Sequence, residues 1–195
     1  MSQDPYLYSG THVLRNKPGI RDHVQLQALE YLETAACTGE AIDYAHKHRR
    51  LDEQCWRGIH RILFANIYDW AGKLRTVEMS KGTSVFAPVM ALRGYADREI
   101  LPKFKTAARQ AGDDDNLFIA ALAECWGELN FLHPFREGNG RSTQIFIAAL
   151  AHRSGRQIEW SRIDKAMEIA SAIAAGAKDY QGYERLLKRA IERVE

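Results

Sequence analysis

His133, Glu137, Asn139 and Arg141, four side chains able to do chemistry, sit in the short run His133-Pro134-Phe135-Arg136-Glu137-Gly138-Asn139-Gly140-Arg141. A neutral imidazole can take a proton from an incoming hydroxyl near neutral pH. Glu137 is a hard oxygen donor of the kind that holds Mg²⁺ against phosphates. Gly138 and Gly140 allow the backbone to come close to an anion. Asn139 can donate its side-chain amide or cap a helix, and Arg141 can fork onto phosphate oxygens. Phe135 is expected to point inward and anchor the run, while Pro134 turns the chain after His133. Taken singly, each is an ordinary loop residue. No packing need explains so many polar groups in so short a span, and together they read as a site for a polyphosphate.

The elements that must position this run can be read from the flanking sequence. Ile145-Phe146-Ile147-Ala148-Ala149-Leu150 follows almost at once and reads as a helix, Asn139 to Arg153. The order loop, glycines, helix N-terminus presents backbone N–H groups and a positive dipole end to an anion. Before the run, Leu117 to Asn130 is apolar on more than one face, as a central bundle helix is. Further helices are expected from about Asp22, interrupted near Gly39, with Val24, Leu26, Ala28, Leu29, Tyr31 and Leu32 as the apolar stripe. Others are expected over Leu51–Tyr68, about Ala91–Gln110, Ser161–Ala174 and Asp179–Val194.

One segment breaks the helical pattern. Arg75 to Ser80 alternates, Lys81-Gly82-Thr83 is turn material, and Ser84-Val85-Phe86-Ala87 resumes before Pro88. This is the only convincing strand signal, a β-hairpin. A lone hairpin is marginal, so it must lie against the helices, leaving its edges available to an extended peptide. The fold class is all-α: a helical bundle with one hairpin near the loop of interest. Residues 1–20 read as an N-terminal arm and 21–195 as a single domain.

Composition narrows the field. The chain has 195 residues, 46% hydrophobic, with a net charge of +2, so it can bury a real core and carries no footprint of a dedicated nucleic-acid binder. Cys37, Cys55 and Cys125 lack metal-type spacing and read as free thiols in a reducing compartment. No secretory signal or membrane span is visible. A cytoplasmic protein is expected, in a bacterium or in a host cytosol if the chain is exported. His46 to Arg50 is a basic run that reads as solvated surface.

The run His133 to Arg141 resembles the signature of Fic-domain proteins, His-Pro-Phe-x-Asp/Glu-Gly-Asn-Gly-Arg, at every specified position. Asp4-Pro5-Tyr6 is similar to the start of bacterial Fic toxins. Ile67 to Arg75 is similar to the segment leading into that family's hairpin flap, where Phe86 falls at a usually apolar position. The resemblance implies a Fic-fold bundle with an active-site loop at 133–141 and a flap at about 75–88. It further implies a protein adenylyltransferase of toxin or effector type, using ATP and Mg²⁺. His133 would be the base, and Glu137 would hold the metal. Gly138, Asn139, Gly140 and Arg141, with Lys81 and Gly82, would bind the nucleotide. Thr83, Ser84, Val85 and Phe86 would dock a target segment carrying a Ser, Thr or Tyr hydroxyl.

The likeness has gaps. Family members usually carry a second arginine three positions on, to grip the γ-phosphate, and here that position is Gln144. The inhibitory motif Ser/Thr-x-x-x-Glu-Gly/Asn is absent, which implies control, if any, by a separate small antitoxin. The helix after the motif offers only Ser171 where an adenine-binding Asn often stands. Two other readings stay open: transfer of a different nucleotide or phosphate-bearing group, and a catalytically weak peptide-binding module.

Overall fold

Four helices begin at an aspartate whose carboxylate accepts a backbone N–H of the first turn: Asp22, Asp52, Asp114 and Asp164. Such a cap contributes about 1 kcal/mol each and sets where these four helices start. The computed structural model describes residues 4–82 and 84–194. Within them α1 runs His23–Lys47, α2 Glu53–Phe64, α3 Leu101–Ala111 and α4 Asp115–Leu132. The last three helices are α5 Asn139–Arg153, α6 Lys165–Ala175 and α7 Gln181–Ala190.

Helix α4 is the axis of the bundle, packed by α3, α5, α6 and α7. Its buried side chains, among them Phe118, Leu122, Trp126 and Leu129, lie on several faces, as the sequence implied. Trp126 stacks on Tyr183 of α7 at 4.4 Å and meets Trp160 edge-on. Helices α1 and α2 cover α5 from the other side, and Trp56, Phe135 and Phe146 form an aromatic cluster there.

The bundle departs from the sequence reading in several places. Helix α1 runs straight through Gly39, which faces solvent with open space around it. A single exposed glycine costs about 1 kcal/mol, too little to break a long capped helix. On α1 the buried positions are Leu26, Glu30, Thr34, Ala41 and Ala45, whereas Val24, Tyr31 and Leu32 are exposed. Helix α2 stops at Phe64, although Ile67 and Tyr68 are buried beyond it. A π-helical turn at Ala96–Ile100 precedes α3, and a 3₁₀ turn at Trp160–Arg162 precedes α6.

The hairpin is shorter than its alternation promised. Only β1, Ser80–Lys81, and β2, Ser84–Val85, are paired, with Ser80 opposite Val85 and Lys81 opposite Ser84. A second antiparallel pair, β3 Arg156–Ile158 with β4 Ile191–Arg193, closes the C-terminal part and ends α7 at Ala190. The hairpin is therefore not the only strand pair.

The N-terminal arm is ordered from Asp4. Leu7 bridges to Leu14, the Asn16 side chain ties Leu14 to Ile20, and Val13 and Leu14 are buried. The three cysteines are unpaired thiols, Cys55 and Cys125 being buried. No helix among the described residues is long and apolar enough to cross a membrane.

Candidate active site

His133 is the C-cap of α4 and adopts a left-handed backbone, φ 45° and ψ 58°. That conformation costs a non-glycine residue about 1–2 kcal/mol, and it swings the ring away from the helix line. A buried arginine holds it there. Arg75 donates from Nε to the His133 carbonyl at 2.8 Å, from Nη1 to the Val77 carbonyl, and from Nη2 to the Ala87 carbonyl. The Arg75 amide donates to the Pro134 carbonyl at 2.8 Å. One guanidinium thus ties both arms of the hairpin to the 133–141 loop. This also explains why the strand is short. Exposure still alternates from Arg75 to Ser80, but Arg75, not a strand partner, takes the carbonyls at the hairpin base.

The His133 ring lies face to face with Phe86, centroids 3.7 Å apart and planes 11° from parallel. Its Nδ1 donates to the Asn130 carbonyl at 3.3 Å, and Nε2 makes no hydrogen bond to the described residues. Burial pushes its pKa from 6.5 down to about 4, with the charges of Arg75 and Lys81 adding to the fall and the Asn130 carbonyl opposing it. At neutral pH the ring is therefore uncharged, with the Nε2 lone pair free.

The loop after His133 is clamped by its own side chains. Phe135 is fully buried, stacked on His60 at 3.9 Å. Asn139 accepts from the Phe135 amide through Oδ1 at 2.9 Å and donates from Nδ2 to the Phe135 carbonyl at 2.7 Å. This corrects the expectation that its amide faces a ligand or caps the helix: both of its polar atoms close a ring on the backbone four residues earlier. The N-cap of α5 is Gly138, at φ 78°. A Cβ there would meet the Phe64 ring at 2.2 Å, so only glycine fits. Gly140 is exposed, with nothing near the position of a Cβ.

Three amides at the start of α5, those of Asn139, Gly140 and Arg141, have no acceptor among the described residues. They are the orphan donors of a helix N-terminus. The Gly138 amide instead donates to the Glu137 carboxylate at 2.8 Å, a correction to its expected place in the phosphate cradle. Glu137 is half-exposed and lies 3.4 Å from Arg141. No cluster of three metal-ligating side chains occurs among the described residues. A single accessible carboxylate beside open amides nonetheless suits Mg²⁺, which takes one or two protein carboxylates and shares the rest with phosphates and water.

Arg141 is held by α1. It donates to Glu30 Oε2 at 2.9 Å and lies over the Phe64 ring at 4.7 Å, while Tyr68 donates its hydroxyl to the other Glu30 oxygen. A hollow of about 420 Å³ opens beside Arg141 and Glu137, walled by His12, His23 and Gln27. Gln144 points elsewhere, donating to Glu168 of α6 at 2.8 Å, which Lys165 also pairs with. Of the hairpin residues, Lys81 and Gly82 are exposed at the turn, Gly82 at φ 59°, and Val85 is exposed on β2. Ser84 belongs to β2, and Thr83 lies outside the described residues.

His60 completes the site and was missed in the sequence. It is wholly buried on α2, accepts from the Gly72 amide at Nδ1 and donates from Nε2 to the Glu137 carbonyl, both at 2.9 Å. These two partners fix a neutral tautomer. Burial drives its pKa to about 4, helped by the Arg141 charge. Its one sequence signal was a histidine on the apolar face of α2, between Trp56 and Phe64. The arm also reaches the loop, where Asp4 pairs with Arg136 at 2.9 Å.

Comparison with known proteins identifies the family of the chain. The profile of the Fic/DOC family matches residues 50–151. The chain is 33% identical over 196 residues to the protein adenylyltransferase VbhT of Bartonella schoenbuchensis, covering 98% of this chain and 39% of that protein. It is 34% identical over 166 residues to the probable protein adenylyltransferase Fic of Escherichia coli, covering 84% and 80%. The BepC effector of Bartonella tribocorum, crystallised with bound AMPPNP, shares the fold at TM-score 0.78 and 24% identity over 97% of each chain. With over half of its length matched by the family profile and most of both lengths matched in the Escherichia coli relative, this chain belongs to the Fic/DOC family.

Proposed function

We propose that this chain transfers AMP from ATP to a Ser, Thr or Tyr hydroxyl of a target protein. The observation that carries the reading is an uncharged His133 with a free Nε2, on the same 133–141 loop as three unsatisfied amides at the start of α5. The names of the relatives matched at 33% and 34% identity support it.

In this reading the hydroxyl gives its proton to His133 Nε2 as its oxygen attacks the α-phosphorus. The bond from that phosphorus to the bridging oxygen breaks, and pyrophosphate leaves. A protonated imidazole with so low a pKa returns its proton to water readily. The amides of Asn139, Gly140 and Arg141 stabilise charge on the α-phosphate as it develops. Glu137 would hold Mg²⁺, which when bound neutralises phosphate charge. Arg141 turns from Glu30 to the outer phosphates, with Lys81 and Gly82 closing over them from the hairpin.

The target segment adds to the hairpin as an extended strand across Thr83 to Phe86, bringing its hydroxyl over His133. Phosphoryl transfer depends chiefly on such positioning and charge stabilisation. The setting is a bacterial cytoplasm, or a host cytosol for an exported protein. Any dedicated inhibitor would be a separate small antitoxin. Gln144, neutral and turned to Glu168, favours one variant of this reading, transfer from a nucleotide other than ATP.

The test uses purified protein, Mg²⁺, a cell lysate and each α-labelled nucleoside triphosphate in turn. Label from ATP should appear on a protein band and fall about 10²–10⁴-fold with His133→Ala. Label from a different nucleotide alone would replace AMP as the group moved. No label from any donor would end the enzymatic reading.

A further inference from the structure

At the far end of α5 from the catalytic loop lies a cleft of about 530 Å³. It is lined by Arg49, Arg50, Lys105, Arg109, Arg153 and Arg156, with no carboxylate among its lining residues. These cations come from the α1–α2 connection, α3, the end of α5, and β3. A chain whose net charge is only +2 has thus gathered six positive side chains around one concavity.

Ordinary structural duties account for part of the set. Arg156 is buried and paired with Asp115 at 2.9 Å, lying over the Phe118 ring. Arg153 donates to the carbonyls of His48 and Arg49, and Lys105 to that of Leu51, bonds that shape the walls. Arg109 and Arg153 also stand in the last turns of α3 and α5, where helix dipoles favour cations. Those duties leave a surplus. The side chains of Arg49 and Arg109 have no ion pair or hydrogen bond among the described residues, and that of Arg50 has only Asp52 at 3.6 Å. Gathering unpaired like charges is unfavourable without a counter-charge.

We propose that this cleft binds a nucleoside di- or triphosphate, at a site separate from the catalytic one. Its volume is that of a small-molecule pocket. The floor of Leu51, Phe104, Ala108 and Leu150 offers apolar surface for a base, and the arginine forks suit phosphate oxygens. A nucleic-acid strand fits less well, since the positive surface stops at the cleft edge: Asp52 follows Leu51, and Asp113 follows Gly112. The 15 residues of α5 place the two sites about 20 Å apart at 1.5 Å per residue, too far for one nucleotide to span.

The test is titration calorimetry on the intact chain at low salt, with ADP and inorganic tripolyphosphate as separate probes. Two classes of ADP site are expected. Arg49→Ala with Arg109→Ala should weaken one class about tenfold or more and leave label transfer and the melting temperature unchanged. Arg141→Ala should weaken the other class alone. This outcome is independent of the transfer reaction, so the cleft stands or falls apart from the proposed function. A single class of ADP site, insensitive to the Arg49 and Arg109 changes, would overturn the proposal. Tripolyphosphate binding the cleft as tightly as ADP would overturn the nucleoside assignment.

Discussion

At the scale of single residues, His133 is an imidazole kept neutral by what surrounds it, which suits it to the proposed role of base. Its pKa near 4, against an ordinary 6.5, has burial as the main cause, and the Phe86 ring supplies one wall of that burial. Lowering pH protonates the base and stops it accepting a proton. The kcat/KM for label transfer should therefore hold level from neutral pH down to about 5 and fall off near 4. In Phe86→Ala, water reaches the ring and the acid limb should move up toward the ordinary imidazole value. A pH–rate profile whose limb is the same in both proteins would show that Phe86 does not keep the ring dry. His133 itself was legible, because the residues that mark it out as a site, Glu137 to Arg141, follow it closely in the chain. The use of Asn139 was not: its partners are backbone atoms of Phe135, and any residue could have supplied those.

At the scale of elements, Arg75 joins hairpin to loop. Replacing it by Met strands the carbonyls of His133, Val77 and Ala87 and removes a buried cation. A loss of about 3 kcal/mol or more is expected, read by urea denaturation, with the kcat for transfer falling further than the stability alone requires. Full activity in a folded Arg75→Met protein would show that the loop holds its shape unaided. The alternation from Arg75 to Ser80 was visible in the sequence, and the structure puts Arg75 on its inward phase. What it could not reveal was that the inward side chain, not a second strand, satisfies the backbone there. β3 and β4 were invisible for another reason. Three residues are too few to display a period, and each strand's partner lies far along the chain. The helices read well because aspartate caps and apolar spacing are local signals.

At the scale of the whole molecule, His60 couples acid to unfolding. In the folded chain its pKa is about 4, and in the unfolded chain it returns to about 6.5. Between those values the unfolded state binds more protons, so stability is complete above about pH 6.5 and declines as pH falls toward 4. His133 acts in the same direction. The urea midpoint should fall between pH 7 and pH 4.5, and His60→Gln should flatten that slope while lowering stability at pH 7. An unchanged slope in His60→Gln would remove His60 from the account. Sequence reading passed over this residue because Gly72 and Glu137 engage it through backbone groups alone. His46, Lys47, Arg49 and Arg50 are exposed, as the sequence reading had them, and Lys105, Arg109 and Arg153 join Arg49 and Arg50 around one cleft only after folding.

The small hydrogen-bonded ring that Asn139 closes on Phe135 has a thermodynamic corollary. Its geometry is set during folding, when the entropy of ordering it is already spent, so a ligand arriving later finds a rigid receptor on that side. The opposite wall is a two-rung ribbon, intrinsically weak as an isolated pair. Under the proposed function, adaptation to different guests falls to the ribbon, and variation there would retune which proteins are accepted while leaving the chemistry of the loop beneath it untouched.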